Sequence, residues 1–189
     1  NIDMNIFRSM YNVNTDTAIS YQKDTVTYHF LDNYDRQVKL HSKQQFERTK
    51  MMFNDENMEK IYNSKVAIFG IGGVGGYVAE ALARSGVTTF YLYDPDVISI
   101  TNLNRQILSN LNNINELKTD VAFNYAKSIN PNCNIIKIDR KLDINNVYEL
   151  PLDIDYIIDA CDDIKVKIEL VKFAIKNNIK IISSMGVGN

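Results

Sequence analysis

Gly70-Ile71-Gly72-Gly73-Val74-Gly75 follows the apolar run Lys65-Val-Ala-Ile-Phe69 and precedes the helix-forming stretch Tyr77-Val-Ala-Glu-Ala-Leu-Ala-Arg84. A G-x-G-x-x-G turn between a strand and a helix is built to hold phosphate. Glycine lets the backbone turn tightly, and the helix N-terminus offers free N–H groups and the positive end of a dipole. Gly70, Gly72, Gly73 and Gly75 are therefore the first candidates for a nucleotide site. Asp94 closes the next apolar run, where a carboxylate can accept hydrogen bonds from ribose hydroxyls. At this point the pattern says nucleotide, and NAD fits as well as ATP.

The charges that follow separate these ligands. Asn102 and Arg105 lie in Thr101-Asn-Leu-Asn-Arg-Gln106, Lys118 opens a helical stretch, and Asp162 follows Asp159-Ala-Cys161. Arg105 and Lys118 can neutralise a triphosphate. Asp162 can hold Mg²⁺, a hard cation that prefers carboxylate and phosphate oxygens. A nicotinamide enzyme needs no such set around its pyrophosphate.

These residues require a scaffold that gathers them at one edge. Strands are expected at 65–69, 89–93, 134–138, 156–158 and 180–184, and helices at about 54–62, 77–84, 118–129 and 164–177. In the last helix, apolar residues recur at 164, 168, 171 and 175. Alternating strands and helices, with strands that read as apolar runs buried on both faces, imply an α/β fold. Its sheet is doubly wound, mostly parallel and Rossmann-like. Ligands then bind at the carboxyl ends of strands, where Gly72, Asp94 and Asp162 all fall.

The composition agrees. The chain has 189 residues, 45% hydrophobic and 23% charged, with eight Gly and three Pro. These are ordinary globular values, so wholly disordered, collagen-like and linker-like chains are excluded. No window of about 18 apolar residues marks a transmembrane helix. A net charge of -2, from 21 basic and 23 acidic side chains, argues against a stand-alone nucleic-acid binder. Two cysteines, Cys133 and Cys161, make no secreted disulfide framework and suit a reducing cytoplasm.

Residues 1–45 differ in character and read as an N-terminal extension, with one weak alternation at 24–31. Residues 46–189 form the nucleotide-binding domain. The abrupt end at Gly188-Asn189 suggests that further sequence follows.

Gly70-Ile-Gly-Gly-Val-Gly75, Asp94-x-Asp96, Thr101-Asn-Leu-Asn-Arg-Gln106, Lys118 and Asp159-Ala-Cys-Asp162 together resemble the adenylating enzymes related to ubiquitin activation, which include the sulfur-carrier activators. Phe46-Glu-Arg-Thr49, Asn130-Pro131 and Ser183-Ser-Met-Gly-Val-Gly-Asn189 resemble the tRNA threonylcarbamoyladenosine dehydratase branch. The resemblance covers about residues 46–189. It implies that Gly72 and Gly73 line ATP, that Asp94 takes the ribose, and that Asn102, Arg105 and Lys118 hold the phosphates. It implies that Asp162 is the magnesium-linked aspartate, and that Arg48 reaches into a partner subunit's site, hence a homodimer. The implied reaction adenylates the threonyl carboxylate of a modified tRNA and closes a ring with loss of AMP.

Two alternatives remain at this stage. One is adenylation of the C-terminus of a ubiquitin-like sulfur-carrier protein. The other is an NAD(P)-dependent oxidoreductase or a nucleotide-sensing module. Cys161 is read as a packed core cysteine and not a thioester nucleophile, and Cys133 as a bystander.

Overall fold

The computed structural model describes residues 44–185, so the weak alternation at 24–31 and the closing Gly186–Asn189 lie outside the described residues. Helices α1 (Glu47–Met52) and α2 (Asp55–Asn63) lead into strand β1 (Lys65–Phe69). Then follow α3 (Gly75–Ser85), β2 (Thr89–Tyr93), α4 (Lys118–Ile129), β3 (Asn134–Ile138), β4 (Tyr156–Asp159), α5 (Ile164–Lys176) and β5 (Lys180–Ser183). The five strands form one sheet in the order β3-β2-β1-β4-β5. All pairings are parallel. The order reverses between β1 and β4, so their carboxyl ends flank the crevice typical of ligand sites in such sheets.

Local chemistry sets the helix ends. The Asn54 side chain accepts the Asn57 amide at 2.9 Å, with Asp55 and Glu56 in the first turn of α2. Asp163 caps α5 by accepting the amides of Lys165 and Val166. Gly86, at φ 103°, ends α3 in the left-handed region open to glycine. Asn130 ends α4 before Pro131.

The central strand alternates between two cores. Val66 and Ile68 join Phe90, Leu92, Ala79, Ala83 and Ala122 on the face covered by α3 and α4. Ala67 and Phe69 join Ile157, Leu170 and Phe173 on the face covered by α5.

The structure corrects three sequence readings. Burial on both faces holds for β1 but not for the edges: in β3, Asn134 and Lys137 are exposed, and in β5, Lys180 and Ile182 are. The apolar period of α5 is not its buried face. Ile164, Ile168 and Ile175 are exposed, whereas Val166, Leu170, Phe173 and Ala174 pack inward. Most of α5 is apolar, so periodicity alone cannot fix its rotation. Finally, α3 starts at Gly75 and not at Tyr77.

None of the helices among the described residues is long and apolar enough to cross a membrane.

Candidate active site

The glycine turn is packed so closely that its ends admit no other residue. Gly70 has φ +88°, and a Cβ there would lie 2.7 Å from the Ala160 carbonyl oxygen at the end of β4. A Cβ on Gly75 would lie 1.8 Å from the Gly70 carbonyl oxygen, an impossible approach. These two glycines shape the turn. Gly72 and Gly73 do something else. A Cβ on either would meet its nearest neighbour at 3.6 Å, an ordinary contact, so the fold itself leaves room there. The amides of Gly72, Gly73 and Val74 make no backbone hydrogen bond among the described residues. Free N–H groups at a helix N-terminus are donors awaiting an anion.

Asp94 anchors this turn from β2. Its Oδ2 accepts the Ile71 amide at 2.6 Å and its Oδ1 accepts the Asp96 amide at 2.9 Å. It is 5% exposed. Burial pushes its carboxyl up, against the two amides and the nearby Lys118 ammonium that favour the charge. The expected ribose ligand is thus also the pin of the phosphate loop.

The segment Ser99–Gln106 folds onto the turn. Asn102 organises it: its Oδ1 accepts the Ser99 amide at 2.9 Å, and its carbonyl accepts the amides of Arg105 and Gln106. The Asn102 side-chain Nδ2 makes no hydrogen bond among the described residues and is the part available to a phosphate. The Arg105 carbonyl oxygen lies beside Gly73, and its exposed guanidinium is held by the Thr101 carbonyl at 2.9 Å and by Asn104 at 3.1 Å. Gln106 was given no role from sequence. Its side chain is buried at 8% exposure and has no hydrogen-bond partner among the described residues, and its Nε2 faces Gly72. With no partner in the fold, that side-chain amide is free to donate to whatever occupies the turn.

Lys118 begins α4 with its side chain 9% exposed. Its ammonium lies 2.7 Å from Asp96 Oδ2 and 3.8 Å from Asp94 Oδ1. The glycines, Asp94, Asn102, Arg105 and Lys118 are therefore linked through one connected set of contacts.

At the end of β4 the sequence pointed to Asp162. That residue is exposed, and its carboxylate has no partner among the described residues. No group of three or more His, Cys, Asp and Glu side chains there is arranged to cage a metal ion. A single free carboxylate nevertheless fits Mg²⁺, which is held jointly by one or two carboxylates and substrate phosphates.

Sequence alone marks Asp159 only as a strand end. It is fully buried and accepts from Lys167 Nζ at 3.0 Å, Ser183 Oγ at 2.5 Å and Cys161 Sγ at 3.0 Å. Lys167 also donates to the Ser184 carbonyl at 2.9 Å. This cluster ties β4, α5 and β5 together. Burial and the contact with Asp159 push the Cys161 thiol up to about 12, the opposite of an activated nucleophile. Burial pushes Cys133 up to about 11, beneath the Val87 carbonyl.

Arg48 stands apart. It is exposed on α1, and no hydrogen bond or ion pair joins it to the other site residues. Helix α1 is tethered at its base by Phe46, whose ring packs on Tyr62 with centroids 5.7 Å apart.

Known proteins are similar to this chain in sequence and in fold. A tRNA threonylcarbamoyladenosine dehydratase of Bacillus subtilis (strain 168) is 42% identical over 147 residues, which are 77% of this chain and 58% of that protein. The E. coli tRNA N6-threonylcarbamoyladenosine dehydratase TcdA, solved in complex with ATP, superposes with a TM-score of 0.73 at 31% identity. The match covers 77% of this chain and 60% of that one. The adenylyltransferase and sulfurtransferase UBA4 of Meyerozyma guilliermondii is 31% identical over 128 residues, 68% of this chain and 30% of that protein. The chain thus spans little more than half the length of the dehydratases it matches. The ThiF family pattern matches residues 33–189, which takes in every element that builds the site, and the chain belongs to the ThiF family.

Proposed function

We propose that the whole protein binds ATP and adenylates the threonyl carboxylate of threonylcarbamoyladenosine in tRNA, then releases AMP as the modified base closes a ring. The observation that carries this reading is the set of free amides at Gly72, Gly73 and Val74, with the Gln106 side-chain amide, Lys118 and Arg105 beside them. That is a donor array for a polyphosphate. The likeness to relatives named as dehydratases, one of them solved with ATP, supports the substrate.

The chemistry follows from charge. A carboxylate is a poor acyl donor because its leaving group would be oxide. Its oxygen attacks the α-phosphorus, the bond to the bridging oxygen breaks, and pyrophosphate departs. The turn amides, Gln106 and Arg105 stabilise the charge that develops. Mg²⁺, when bound at Asp162, would draw further charge from the leaving pyrophosphate. A neighbouring group on the same nucleoside then attacks the activated carbonyl and expels AMP. Both partners sit on one molecule, so no protein nucleophile is needed. The protonated Cys161 thiol is consistent with that.

The protein acts as a homodimer in this proposal, each subunit lending Arg48 to its partner's phosphates. It works in the cytoplasm, where its tRNA substrate is found. The likeness to UBA4 favours a second reading, in which the carboxylate is the C-terminus of a sulfur-carrier protein. AMP release by the full-length protein separates the two. Release driven by tRNA bearing threonylcarbamoyladenosine is expected; release driven only by a carrier protein would overturn the tRNA reading.

A further inference from the structure

We propose that Asp96 is a positioning residue, the counter-ion that holds the Lys118 ammonium and yields it to a nucleotide phosphate. This rests on the adenylation reading of the same site. Lys118 is almost wholly enclosed, with its side chain 9% exposed, and a buried ammonium without a partner is costly. Asp94 cannot satisfy it alone. Its nearest oxygen is 3.8 Å away, and both of its oxygens already accept backbone amides. Asp96 supplies the short contact at 2.7 Å.

The two partners differ sharply in surroundings. The Asp96 side chain is 64% exposed, so on release it returns to water at little cost. Lys118 has no such retreat and must exchange one anion for another. The backbone makes that exchange local. The Lys118 amide donates to the Asp96 carbonyl at 3.0 Å, and the Asp96 amide donates to Asp94. Val97 and Leu117 form an antiparallel bridge beside them. The main chains stay joined while the Asp96 side chain turns away, a rotamer change and not a loop movement.

A counter-ion that must be displaced competes with the ligand. Asp96→Asn, which keeps shape and loses charge, therefore binds ATP more tightly, whereas loss of a mere structural support would weaken binding. The test is calorimetric titration of the full-length protein with ATP in the presence of EDTA. It covers the wild type, Asp96→Asn, Asp96→Ser, Lys118→Met and the Asp96→Asn/Lys118→Met double variant. Both Asp96 variants are expected to bind about fivefold more tightly, the scale of one partly exposed ion pair. The gain disappears in the Lys118→Met background, because the competition runs through that ammonium. Unchanged or weaker binding by both Asp96 variants would overturn the proposal. So would a gain that survives in Lys118→Met, since it would then be a long-range charge effect. A wild-type protein that binds no ATP would instead defeat the adenylation reading, and this proposal with it.

Discussion

The carboxylate of Asp94 accepts the Ile71 amide at 2.6 Å, so the end of β2 fixes the first bend of the glycine turn that follows β1. Asp94→Ala would orphan that buried amide and remove one of the two carboxylates beside Lys118. A loss of about 2–4 kcal/mol in stability is expected by urea denaturation, with loss of ATP binding. Retention of both would show that the turn holds its own shape.

The glycines divide into two classes that substitution can separate. Gly72→Ala and Gly73→Ala should change stability by less than about 1 kcal/mol yet weaken ATP binding about tenfold or more. Their neighbours leave room for a methyl, and the ligand does not. Gly75→Ala should lose about 3 kcal/mol or more, because its Cβ would strike the Gly70 carbonyl. Thermal melts beside ATP titrations check both. A destabilised Gly73→Ala protein would remove the distinction.

Asp159→Ala would leave the Lys167 ammonium buried without its carboxylate. A loss of about 3–5 kcal/mol is expected in denaturant titrations. The neighbouring thiol gives a pH dependence. Folding raises Cys161 from its ordinary value to about 12, so the folded state holds that proton more tightly. The resulting stabilisation is complete below about pH 9 and fades as pH rises toward 12. At pH 8, iodoacetamide should alkylate Cys161 in the native protein far more slowly than in the unfolded chain, by about 1,000-fold on thiolate fraction alone. Rapid native alkylation would revive a thiolate role.

Arg48 and Asp162 test the shared site. Mixed Arg48→Ala and Asp162→Ala subunits of the full-length protein should regain activity in one site of each heterodimer, up to about a quarter of wild type if subunits exchange at random. A mixture no better than the sum of its parts would place Arg48 outside the partner's site.

Much of this was legible in the sequence, for local reasons. Lys65–Phe69 and Thr89–Tyr93 are short apolar runs bounded by turn residues, and their strands match residue for residue. Helix α1 was not legible: none of its residues is buried, so no apolar period records it. The role of Asp159 was hidden because its partners Lys167 and Ser183 lie 8 and 24 positions away and meet it only through the fold. The same holds for Asp96 and Lys118, 22 positions apart. Sequence named the charges of the site but not the pairs they make at rest.

Gly86 carries a consequence for how lesions in this protein would be read. A side chain there would meet the Tyr62 ring at 2.8 Å, and Tyr62 is the aromatic partner of Phe46 at the base of α1. Helix α3 runs from the glycine turn at one end to that aromatic seat at the other, about 16 Å away at 1.5 Å per residue. A substitution at Gly86 would therefore press on the aromatic seat of α1, the helix that carries Arg48, at the far end of α3 from the glycine turn. On the proposal that Arg48 serves the partner's site, such a substitution is expected to cost the full-length dimer more activity than it costs a single subunit ATP affinity.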